Sequence, residues 1–158
     1  ECAQLTGKGH FVSSHYWKRL HYIIGVPLFI IASILGTTAF SSLDVQGKWA
    51  SILAVSVAVL SALMTFLNPN EKATNHLNAG NSYNALENDV RIFRTIECWK
   101  NDPMEILSER IKNFSKYKDQ LNASSPQVPW FCYILTKIGI WMGEANYKID
   151  EKKCTEAQ

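Results

Sequence analysis

Two long stretches without a single Asp, Glu, Lys, Arg or His, only five residues apart, constrain this chain more than any other feature. The first runs from Tyr22 to Leu43 and the second from Trp49 to Asn70. At about 1.5 Å per helical residue, the 22 residues from Tyr22 to Leu43 reach roughly 33 Å, and the 19 from Trp49 to Leu67 roughly 28 Å. A bilayer's hydrocarbon core is about 30 Å thick, so each stretch predicts a transmembrane helix. A globular core can also hold helices that are apolar all round. Two consecutive helices of spanning length in a chain of 158 residues argue for lipid instead. The overall 47% hydrophobic content and charge of +2 look like those of a soluble protein only because they average over two solvents.

Asp44, Val45, Gln46, Gly47 and Lys48 join the two stretches, too few residues to recross a membrane. The helices are therefore expected to form an antiparallel hairpin with both termini on one side. Lys8, Lys18, Arg19 and Lys72 flank that side, whereas the tip offers only Lys48. This imbalance predicts cytoplasmic termini by the positive-inside rule. Trp17, Tyr22 and Trp49 sit where aromatic rings anchor at headgroup depth; His15 and His21 read as hydrogen-bonding surface groups beside them. The first stretch is too long for a signal core and lacks a cleavage pattern. The chain opens at Glu1 rather than Met and reads as part of a longer one.

Within the second stretch, Ala50, Ala54, Ala58 and Ala62 recur every four residues and stack along one side of a helix. Gly25, Ala32 and Gly36 supply small residues in the first, and Pro27 predicts a kink near its start. In lipid, where burial gives no drive between helices, small faces that allow close approach are a main source of association. The stripes suit packing within the hairpin or between subunits. Ser33, Thr37, Ser56, Ser61 and Thr65 add hydroxyls. Such groups usually bond back to the preceding turn, but the same face would also line a weakly selective pore. No ionisable residue within the spans suggests a proton relay.

Beyond Asn68-Pro69-Asn70, Ala79, Tyr83, Leu86, Val90 and Phe93 follow a four-three spacing, the seam of a helix packed on another helix; His76 is expected to hydrogen-bond across that packing. Asp102-Pro103-Met104-Glu105 reads as the start of a return helix, with Asp102 as N-cap and Met104, Leu107, Ile111 and Phe114 as its seam. After a turn holding Pro126 and Pro129, residues 130–142 are apolar but too short to span. They predict a helix packed on the helical pair or, alternatively, lying on the membrane surface.

The sequence thus predicts an all-α membrane protein: a two-helix transmembrane hairpin within residues 1–70 and a cytoplasmic helical region over 71–158. The expected helices cover about 15–43, 48–67, 70–100, 103–122 and 128–147, the third and fourth forming an antiparallel hairpin and the fifth a short C-terminal helix. Cys2, Cys98, Cys132 and Cys154 form no CxxC or Cys/His cluster and read as free thiols. With no phosphate loop, paired carboxylates, nucleophile motif or metal constellation, neither an enzyme nor a cofactor is expected. Basic and acidic residues are interspersed, so no direct nucleic-acid binding is expected.

Three blocks of this chain resemble the SLATT domains, two-transmembrane effectors associated with SMODS nucleotidyltransferases and SLOG sensors. The first block is His15 to Pro27, a basic-aromatic entry into a helix with Gly25-Val26-Pro27. Gly36-Thr37-Thr38-Ala39-Phe40 follows, then Phe66 to Ala73 with His76, Ala79, Tyr83 and Leu86. The resemblance covers roughly residues 10 to 90. It implies a bacterial inner-membrane effector of antiphage defence that oligomerises into pores and causes abortive infection. It also implies a separate trigger component: a nucleotidyltransferase, a nucleotide sensor or a reverse transcriptase. The rival expectation is a membrane-anchored adaptor tethering a soluble defence enzyme.

Overall fold

The computed structural model describes residues 2–40, 48–96 and 103–143, and everything described is helical or a short connection. Five helices follow one another: α1 Cys2–Phe40, α2 Lys48–Leu67, α3 Pro69–Thr95, α4 Met104–Ser124 and α5 Trp130–Trp141. The chain divides into two compact units. One comprises residues 1–13 with 76–158, and the other residues 14–75.

The first helix differs most from expectation. It begins at Cys2 rather than near residue 15, and its first turns belong with the C-terminal helices rather than with a transmembrane flank. The physical reason is packing. Small residues at positions 3, 7 and 9 let these turns approach neighbouring helices closely, which compensates for glycine's poor helix propensity. A Cβ on Gly7 would lie 3.2 Å from Tyr83 Cβ on α3, and one on Gly80 of α3 would lie 3.0 Å from the Phe11 ring. Each glycine therefore makes room for an aromatic residue of the other helix.

Tyr83, Leu86 and Leu121 form the core of this unit, with Ala3 and Phe114 packed against it. Further along α3, Phe93 meets Phe114 edge-on at a centroid distance of 5.5 Å. Partners on α4 thus fall in number as those on α3 rise, so the two helices run in opposite directions. Val90, expected in the same seam, is 40% exposed. Helix phase does not explain this, because Val90 lies only about 40° around the axis from Leu86. On α4, Leu107 and Phe114 are half-buried, whereas Met104 and Ile111 are exposed. Pro103 occupies the cap position of α4, and its carbonyl accepts from the backbone N–H of Ile106 and Leu107. Asp102, the expected N-cap, lies outside the described residues.

In the other unit, α2 spans Lys48–Leu67, as the hydropathy pattern predicts. One residue separates it from α3. Asn68 adopts φ 39°, a left-handed conformation that asparagine tolerates better than most residues. Its backbone N–H still donates to Met64 (3.1 Å), its carbonyl accepts from Lys72 (3.2 Å), and its side-chain amide donates to Glu71. Pro69 then starts α3, where its missing N–H costs nothing. Helix α1 continues through Pro27. The loop joining the two apolar helices, including Asp44 to Gly47, lies outside the described residues, as do Cys98 and Cys154.

Candidate functional site

Two arrangements carry functional information: the outward faces of the apolar helices and a buried polar cluster.

Both α1 and α2 contain stretches long and apolar enough to cross a membrane, and among their described side chains over 22–37 and 49–67 all but Ile24 are exposed or half-buried. Phe29 is 73% and Val55 62% exposed. Leaving such side chains in water would cost about 1.5–3 kcal/mol each, a cost that an apolar surrounding would remove. The half-buried positions of α2 are Ala50, Leu53, Ser56, Val57, Leu60, Ser61, Met64 and Leu67, whereas Ala54, Ala58 and Ala62 are exposed. Met64 Cε stands 3.7 Å from where a Cβ on Gly25 would be. Met64 thus packs against small Gly25, and most of the alanine stripe is left outside. Ala32 is likewise exposed, and a Cβ on Gly36 would meet nothing within 4 Å.

The hydroxyls of Ser33, Thr37, Ser56 and Thr65 are satisfied locally. Ser33 donates to the Phe29 carbonyl (2.7 Å), Ser56 to Ile52 (2.8 Å) and Thr65 to Ser61 (3.0 Å). Thr37 donates to Ser33 (3.1 Å) and Ile34 (2.9 Å). Back-bonding lets these residues sit in hydrocarbon without an unpaired donor. Ser33, Thr37 and Thr65 are exposed, while Ser56 and Ser61 are half-buried.

Near the start of the first apolar stretch, the Lys72 ammonium lies 4.6 Å from the Trp17 ring centroid, a cation–π arrangement. The buried indole N–H of Trp17 and Nδ1 of His21, one helical turn on, have no protein partner. His15 and Tyr22 are exposed and Trp49 is 74% exposed, which suits rings that meet headgroups.

The polar cluster lies where α1 meets α3 and α5. His10 and His76 are 2% and 3% exposed, with their Nδ1 atoms 3.0 Å apart. One Nδ1 must donate and the other accept, so the bond requires at least one neutral ring. His10 stacks on Tyr83 at 5.5 Å with an interplanar angle of 13°, and the Tyr83 hydroxyl donates to Asn122 Oδ1 at 2.7 Å. Burial, with the His76 charge adding to it, pushes His10 down to about 4; burial also lowers His76. On the α5 side, Ser13 donates to the Gly9 carbonyl (2.8 Å). Cys132 is a fully buried free thiol, and burial raises its pKa, with Ser13 acting in the opposite direction. Thr136 donates to the Cys132 carbonyl at 2.8 Å, and its Oγ1 would lie 3.8 Å from a Cβ on Gly9.

Among the residues singled out from sequence, His76, Ala79, Tyr83, Leu86 and Phe93 are buried on one face of α3. His10, Ser13, Cys132 and Thr136 were not anticipated. The signal was present as a seam of Ala3, Gly7 and His10 at four-three spacing, but small residues carry no hydropathy peak. Among the described residues, no group of three His, Cys, Asp or Glu converges on a metal-sized site. No protein-family model matches the chain, and no curated protein or solved structure matches it either.

Proposed function

We propose that this protein is a SLATT-like effector of the bacterial inner membrane. In this reading it inserts α1 and α2 as a transmembrane hairpin with both termini cytoplasmic. It self-associates and opens a pore on receiving a cytoplasmic signal, depolarising the membrane and aborting infection. It is not an enzyme; a separate defence component, such as a nucleotidyltransferase, a nucleotide sensor or a reverse transcriptase, supplies the trigger.

The observation that carries this reading is the outward exposure of large apolar side chains along both candidate spans, with Ala54, Ala58 and Ala62 exposed on α2. Unburied spans need lipid, and a small-residue face turned away from its own chain is suited to a neighbouring helix. One hairpin cannot enclose water, so a pore requires several copies. The back-bonded hydroxyls of Ser33, Thr37 and Thr65 would give such a path polarity without buried charge. Hydroxyls and carbonyls can ease ion passage while binding no ion tightly.

Induced expression in cells loaded with a potential-sensitive dye tests the proposal. Collapse of the potential together with growth arrest is expected. Arrest with the potential intact refutes the pore and favours an adaptor that tethers a soluble enzyme.

A further inference from the structure

The shortest helix carries its side chains the wrong way round for a protein surrounded by water. On α5 the buried residues are Cys132, Thr136 and Gly139, all small. The large apolar residues point outward: Trp130 is 75%, Ile134 45%, Ile138 45% and Trp141 87% exposed. At 100° per residue these four fall within about 80° of arc, centred opposite the buried three. Lys137 lies at the edge of this arc, its ammonium 4.7 Å from the Tyr133 ring centroid.

We propose that the outward face of α5, formed by Trp130, Ile134, Ile138 and Trp141, is a lipid-docking surface that lies in the headgroup layer of the bilayer. The proposal rests on the membrane reading above but not on pore formation. Four features of the structure favour lipid. The helix is 12 residues, roughly 18 Å, too short to cross about 30 Å of hydrocarbon. Its two tryptophans stand at its two ends, with an apolar body between them and a lysine at the margin. That is the side-chain distribution of an interfacial helix, in which the rings and the lysine stem bury carbon while keeping polar tips in water. The inner face is fixed: a Cβ on Gly9 would lie 3.5 Å from Val128, just before the helix, and 3.8 Å from Thr136 Oγ1. Finally, α1, which meets α5 at Gly9, is the same unbroken helix that carries the first candidate span. Docking would immerse the apolar face by about 5–10 Å.

The test places nitroxide labels in the full chain, reconstituted in nanodiscs of phosphatidylcholine and phosphatidylglycerol. Cys2, Cys98 and Cys154 are replaced by serine, the buried Cys132 is kept, and single cysteines are introduced as Ile134→Cys, Ile138→Cys, Lys112→Cys and Val55→Cys. At 134 and 138, collisions with oxygen should exceed those with a water-soluble nickel chelate; at 112 on α4 the order should reverse. Val55 reports the span itself. A lipid signature at 55 with an aqueous one at 134 and 138 overturns the docking surface while leaving the span intact, and an aqueous signature at 55 overturns the membrane reading as well. Dipolar broadening at 134 that disappears on dilution with unlabelled chain would show a second copy on this face and also overturns the proposal. A second measurement needs no added cysteine. Brominated phosphatidylcholine should quench less of the fluorescence of Trp130→Phe/Trp141→Phe than of the unaltered chain, and an equal quenched fraction counts against lipid contact.

Discussion

The buried histidine pair makes the stability of its unit depend on acidity in a calculable way. His10 is held neutral down to about pH 4, whereas in the unfolded chain it titrates near its ordinary 6.5. Above pH 6.5 the ring is neutral in both states and contributes nothing to pH dependence. As pH falls below 6.5 the unfolded chain takes up a proton that the folded one refuses, and the fold loses about 1.36 kcal/mol per pH unit until about pH 4. At pH 5 the loss from His10 alone is about 2 kcal/mol, or roughly 30-fold in an opening equilibrium. His76, also lowered by burial, shifts the balance in the same direction. Protonating both rings would also destroy the 3.0 Å Nδ1–Nδ1 bond, since neither could then accept. Native-state hydrogen exchange in detergent micelles measures this. After correction for intrinsic exchange, protection at the Tyr83 and Leu86 amides should fall at least about 30-fold between pH 7.5 and pH 5. In His10→Asn/His76→Asn the level at neutral pH will differ, but the slope should flatten. An equally steep slope in that variant would refute the assignment of acid sensitivity to this pair.

Other consequences are more local. Gly7→Leu should destabilise the same unit by about 1–3 kcal/mol, because the side chain must enter the space held by Tyr83; unchanged exchange protection in α3 would contradict that contact. Tyr83→Phe removes the hydroxyl that reaches Asn122 and should cost about 1 kcal/mol, whereas a neutral effect would mean that the bond contributes nothing net. Ala54→Leu or Ala58→Leu should weaken self-association without loss of helix content, because bulk on an exposed small-residue face prevents close approach of a neighbour. Cross-linking ladders identical to those of the parent chain in both variants would remove that role from the stripe.

Sequence alone determined the features that depend on solvent and on neighbours along the chain. Charge-free stretches of spanning length marked the body of α2 and the apolar part of α1. Asn68-Pro69 marked the break between α2 and α3, and the spacing of Ala79, Tyr83, Leu86 and Phe93 marked the buried face of α3. These are legible because hydropathy and helix phase act within a few turns. Tertiary structure decided what depends on which surfaces meet. It recruited Cys2–Ser13 into the C-terminal unit, paired His10 with His76, and turned the small face of α5 inward. It also left Val90 exposed although its phase matches its buried neighbours. The physical reason is that small residues specify distance rather than burial. Gly7, Gly9 and Gly80 say that something can come close, and only the assembled fold says what does.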